Sequence, residues 1–113
     1  MSRVAKVKFV DYRSSIASAL DLIGAGARLP KQGLIIIKPN LTNSSPPPVT
    51  TSVAAAEAVY IYCKAHTKAE ITIGEGCGSG RTPDVYKALG YTALAKKYSL
   101  ELIDFNETDT ITL

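Results

Sequence analysis

Few of the residues that bind soft metals are present. The chain holds two cysteines, Cys63 and Cys77, and one histidine, His66. A structural zinc or iron–sulfur centre needs about four such ligands, so no zinc or iron–sulfur ligand set exists within this sequence. No run of 18 apolar residues occurs, which excludes an ordinary transmembrane helix. The start, Met1-Ser-Arg-Val-Ala-Lys6, lacks the apolar core of a signal peptide, and a cytoplasmic location is the expectation that follows. In that compartment a disulfide between the two cysteines is not expected. No basic cluster is interleaved with aromatics, so nucleic acid is not a favoured partner. No internal repeat is visible.

What is present is an ordinary globular composition over 113 residues, with 46% hydrophobic and 20% charged residues, enough for one domain. Residues 1–113 therefore read as a single α/β domain. The net charge of +3 is unevenly spread. Residues 1–40 hold seven Lys/Arg against two Asp, and residues 99–113 hold four acids and no base. Such asymmetry can steer an anion to one side and a cation to another, although ordinary solvated faces are the favoured account of charge counts alone.

Hydrophobic period and turn residues divide the chain. Val4-Ala-Lys-Val-Lys-Phe-Val10 alternates in part and reads as a strand with one wet face. Ile16, Leu20, Ile23 and Ala27 recur at helical spacing, with Asp11 or Ser14 as N-cap. Leu34-Ile-Ile-Ile37 is a β-branched run without alternation, as in a strand buried on both faces. A polar, proline-rich loop over 42–52 precedes the alanine-rich helix 53–66, capped by Thr50, Thr51 or Ser52. Glu70–Ile73 reads as a strand, Thr82-Pro83-Asp84 as a helix start with Thr82 as N-cap, and Gly90 as that helix's end. Tyr91–Tyr98 reads as a further helix and Leu100–Phe105 as a last strand. The order β-α-β-α-β-α-α-β predicts an α/β three-layer sandwich with a mostly parallel sheet.

In such a sheet ligands bind beyond the carboxyl ends of the strands, near a switch in strand order, and the sequence does not reveal that order. Three loops leave strands at that edge: Lys38-Pro39-Asn40, the run Gly74-Glu-Gly-Cys-Gly-Ser-Gly80, and Asp104 with Asn106. Lys38 is a point cation for a phosphate or carboxylate. Asn40 both donates and accepts, and Thr50 and Thr51 offer hydroxyls at a helix start. Glu75 and Asp104 supply hard oxygen for a divalent cation, or an acid/base pair. Each has a purely structural reading beside it: Lys38 ends a strand, Thr50 and Thr51 cap a helix, Asp104 shapes a turn. Glycines 74, 76, 78 and 80 indicate positive φ or close approach to the backbone. They match neither G-x-G-x-x-G nor the P-loop, so dinucleotide binding is a weak claim. Cys77, near a helix start and Arg81, has a context that lowers a thiol pKa, yet reads as a bystander without a nearby histidine. Cys63 reads as core and His66 as a helix C-terminal cap.

The segments Ile35-Ile-Ile-Lys-Pro-Asn-Leu41, Pro47-Pro-Val-Thr-Thr-Ser52, Ile73–Gly80, Leu89-Gly-Tyr91 and Glu101-Leu-Ile-Asp-Phe-Asn106 resemble, in order and spacing, the DUF362 proteins. That bacterial and archaeal group has no established biochemical role. The resemblance spans about residues 4–110 and implies Lys38, Asn40, Thr50, Thr51, Glu75, Gly76, Gly80, Asp104 and Asn106 as motif positions. Many of its members carry two four-cysteine iron–sulfur motifs toward the C-terminus, which have no counterpart here. The family domain is longer than 113 residues, so an N-terminal portion of a longer domain is expected, with Thr110-Ile-Thr-Leu113 starting another element.

Two readings of function result. The first is an α/β domain binding a small anionic ligand or divalent cation at the sheet edge through Lys38, Asn40, Thr50, Thr51, Glu75, Gly76, Gly78, Gly80, Asp104 and Asn106, as part of a redox or iron–sulfur system. The second is a non-catalytic module that forms a homodimer or pairs with a companion chain across an open sheet edge. The residues do not decide between an enzyme and a binding module, and name no cofactor.

Overall fold

The computed structural model of the chain describes residues 2–108, so the element expected to start at Thr110 lies outside it. Helix α1 (Tyr12–Leu22) is capped by Asp11, whose carboxylate accepts the Ser14 amide at 2.7 Å. A short α2 (Ala25–Arg28) follows left-handed Gly24. Strand β1 (Leu34–Ile37), helix α3 (Val53–His66), strand β2 (Glu70–Glu75), helices α4 (Thr82–Ala88) and α5 (Tyr91–Tyr98), and strand β3 (Leu102–Asp104) complete the order. Ser52, one of three expected caps, is the residue that accepts at the α3 start, from Ala54.

The three strands are parallel in the order β1-β2-β3. Ile37 lies opposite Ile73, and Glu75 opposite Asp104. Helices α3, α4 and α5 pack on the same face of the sheet, as expected when successive crossovers of one hand run in one direction. Ile37, Ile73 and Leu102 of that face meet Ala56, Val85, Tyr86, Tyr91 and Leu94 in the main core. Ile73 is fully enclosed, a burial worth about 1.5–3 kcal/mol. Tyr60, Cys63 and Ile71 form a second cluster. The α/β class and the parallel sheet are as expected.

Four local expectations are corrected. Residues 2–9 form no strand: among the described residues none pairs with them, and Val4, Phe9 and Val10 are exposed. Alternation supplies a face but not a ladder partner. Phe9 turns instead to the Tyr12 ring, 5.2 Å away, and the Val10 amide donates to Ser15. The described order is therefore α-α-β-α-β-α-α-β. Strand β1 is not buried on both faces; among the described residues it is the sheet's edge, with Leu34 51% and Ile36 44% exposed. Strand β2 runs on through Gly74 and Glu75 rather than stopping at Ile73. The α4 N-cap is Arg81, while Thr82 is the first helical residue and buries its hydroxyl.

Candidate functional site

The carboxyl ends of the three strands gather the polar groups. Because β1 and β2 are parallel and in register, the residue after Ile37 emerges beside the end of β2. Lys38 Nζ lies 2.9 Å from Glu75 Oε1. The Glu75 side chain is only 6% exposed. Its Oε2 accepts the Leu41 amide at 2.7 Å, and Oε1 also accepts the Gly76 amide at 3.0 Å. A buried carboxylate survives only when its lone pairs are met in this way. Burial pushes the Glu75 carboxyl up. The Leu41 amide, the Lys38 ammonium and the Gly76 amide together outweigh it and hold the group below the ordinary carboxylate range.

The neighbouring strand adds Asp104, half-buried and directly across the ladder from Glu75. Its Oδ1 accepts the Asn106 amide at 3.0 Å. The Asn106 side chain donates to the Cys77 carbonyl at 3.0 Å, and more weakly to Thr82 Oγ1 at 3.4 Å. Thr82 Oγ1 also accepts the Cys77 amide. Tyr86 donates its hydroxyl to the Ile103 carbonyl at 2.7 Å. Burial raises the Cys77 thiol pKa; of the charges around it, Glu75 and Asp104 raise it further and Lys38 opposes them. The expected lowering of this thiol is thus corrected. Its surroundings are apolar and acidic, and the Arg81 side chain is exposed.

The glycine run approaches protein. A Cβ on Gly74 would lie 2.4 Å from the Phe105 ring, and one on Gly76 would lie 2.7 Å from Asn106 Oδ1. Gly80 sits at φ +83°, where only glycine is unstrained. The amides of Gly78 and Ser79 both donate to the Thr42 carbonyl. With Gly76 on Glu75 and Cys77 on Thr82, four successive amides of the run have internal acceptors.

Lys38, Glu75 and Asp104 therefore converge, with Gly76 and Asn106 packed beside them. Asn40, Thr50 and Thr51 form a separate clasp. The Asn40 amide donates to Thr51 Oγ1 at 2.9 Å, its carbonyl accepts the Thr51 amide at 2.9 Å, and its side chain reaches Val49. Thr50 donates to the Ser45 carbonyl, and Tyr91 donates to Thr51 from α5. Sequence reasoning missed the Leu41 amide and the Thr82 hydroxyl as parts of the site. An apolar Leu41 gives no signal of its amide's partner, and Thr82 beside Pro83 carries the mark of a cap.

Lys38 retains the site's accessible charge. Its side chain is 57% exposed, and an ammonium has three donors, of which Glu75 takes one. A cation would meet only Glu75, already committed, and Asp104. Among the described residues no group of three or more His, Cys, Asp or Glu is placed to hold a metal ion. No described helix is long and apolar enough to cross a membrane.

A family model, Domain of unknown function (DUF362), matches residues 35–113, which is more than two-thirds of the chain and includes every polar group of the sheet edge. No curated protein and no solved structure matches.

Proposed function

The chain belongs to the DUF362 family of unknown function, and on that footing we propose that its sheet edge binds a small ligand through an anionic group held by Lys38. One observation carries the reading. An accessible ammonium stands at the carboxyl end of a parallel strand, fixed at 2.9 Å by a buried carboxylate that is itself held by two backbone amides. Preorganisation of this kind lowers the entropic cost of binding. The position is at the carboxyl ends of the strands, the side on which α/β sheets take ligands, although the described order β1-β2-β3 contains no switch point.

An anion is favoured over a divalent cation because Glu75 has both oxygens engaged. A cation would have to displace Lys38 and break the Gly76 contact. Any tie to redox or iron–sulfur chemistry would have to come from groups other than Cys63 and Cys77, which are both buried.

The test is amide NMR of the full chain titrated with inorganic phosphate, acetate and magnesium. Phosphate or acetate at millimolar concentration is expected to shift Lys38, Leu41 and Gly76, and Lys38→Met to abolish the shifts. Shifts with magnesium alone, or none at all, would overturn the reading. A second reading, an interaction module, draws on the exposed β1 edge with Leu34 and Ile36 outward.

A further inference from the structure

Among the described residues no strand pairs with the outer edge of β1, which borders a groove of about 390 Å³ walled on the other side by α3. Its lining is apolar, with Ile35 and Ile37 from the strand and Ala55, Val59 and Cys63 from the helix, and Lys38 stands at its end. We propose that this groove takes the C-terminal strand of a partner protein, added alongside β1 with its free carboxylate at Lys38. The carboxylate contact rests on Lys38 being the anion anchor proposed above.

Three features of the edge agree on this occupant. The Glu70 amide donates to the Gly33 carbonyl, so alternation turns the backbone of Ile35 and Ile37 toward β2 and that of Leu34 and Ile36 outward. An added strand would satisfy those outward amides and carbonyls. The edge carries none of the devices that block such addition: residues 34–37 hold no charge, no proline and no bulge. The groove beneath is apolar, so side chains at alternate positions of the incoming strand can fill it. The charge at one end sets direction. Lys38 follows the carboxyl end of β1, so a terminal carboxylate placed there makes the added strand parallel to β1. A small acyl carboxylate would meet the cation and the groove but would leave the outward backbone groups unused.

The experiment is fluorescence polarisation on the full chain with a labelled peptide ending Thr-Val-Thr-Val and a free carboxylate. Three comparisons accompany it: the same peptide as a C-terminal amide, the peptide N-methylated at its β1-facing amides, and Ala55→Phe, which fills the groove. The free acid is expected to bind. The amide and Ala55→Phe are each expected to weaken binding at least tenfold, and N-methylation to abolish it. Should Ala55→Phe fail to fold, the two modified peptides test the wild-type chain on their own. Equal binding of acid and amide, or of the N-methylated peptide, overturns the proposal. Absence of peptide binding while acetate still shifts Lys38 overturns it and leaves the anion reading standing; absence of both overturns both. A concentration-dependent dimer that the peptide does not compete away would assign the edge to a second copy and also overturn it.

Discussion

Replacing Glu75 by glutamine separates a buried clasp from a surface salt bridge. In the wild type Oε2 takes the Leu41 amide and Oε1 takes the Gly76 amide and Lys38. A hydrogen bond to a charged group is worth about 1.5–3 kcal/mol. Glutamine keeps one oxygen for Leu41 but turns an NH2 toward two donors, so Glu75→Gln is expected to cost about 2–3 kcal/mol. Lys38→Met removes the exposed partner and leaves both amides on the carboxylate. The Lys38 side chain is 57% exposed but the carboxylate is buried, so the pair lies between a surface bridge worth about 0–1 kcal/mol and a buried pair. This variant should lose about 1–2 kcal/mol, less than Glu75→Gln. Urea unfolding followed by far-ultraviolet circular dichroism gives both values. A loss within about 0.5 kcal/mol for Glu75→Gln, or a larger loss for Lys38→Met than for Glu75→Gln, would refute the clasp.

The same variant carries a pH signature. The folded Glu75 carboxyl lies below its ordinary value of 4.5, so its contribution is complete above that value and is lost as pH falls through the folded pKa. The stability gap between wild type and Glu75→Gln should stay level from pH 7 to about 5 and shrink below 4.5. Asp11 and Glu57 are also held low, by the Ser14 amide and by Lys97 respectively. Subtracting the variant's curve removes their part, and a gap that widens on acidification would contradict the assignment.

Three further outcomes follow from the geometry. Gly74→Ala drives a Cβ into the Phe105 ring and should cost about 1–3 kcal/mol by thermal unfolding; in a Phe105→Ala background the added penalty should largely disappear. Burial pushes the thiols of Cys63 and Cys77 up, so iodoacetamide at pH 8 should alkylate the folded chain far more slowly than the urea-unfolded chain, and a fast Cys77 would contradict its enclosure. The Tyr91 hydroxyl, raised to about 12 by burial, donates to Thr51; Tyr91→Phe should cost about 1 kcal/mol and remove one late-titrating phenol from an ultraviolet pH titration.

Much of the fold was legible because its signals are local. Asp11 beside an apolar helical stripe, alanines over 53–66, and Pro83 at a helix start each act through neighbours in sequence. The errors fall where the deciding group is remote. Val4–Val10 alternates as a strand would, but among the described residues no ladder partner accepts it. Leu34-Ile-Ile-Ile37 has the composition of a central strand, yet among the described residues only β2 pairs with it. Apolar composition reports that a residue can be buried, and the number of neighbours decides whether it is.

The sheet edge divides along the same line. That Lys38, Glu75 and Asp104 share one edge was expected from a parallel sheet, but their adjacency depends on the strand order, which the sequence does not carry. The roles of the glycines were not. Their missing Cβ atoms signalled a close approach, which local sequence could not assign. The groups that approach are Phe105 at Gly74 and Asn106 at Gly76, about thirty residues downstream, and the run's amides turn to Glu75, Thr82 and Thr42. The glycine run thereby locks β2 against β3 and holds Glu75 in place. It leaves the Lys38 side chain 57% exposed, and the anion reading proposed above stands or falls on that group.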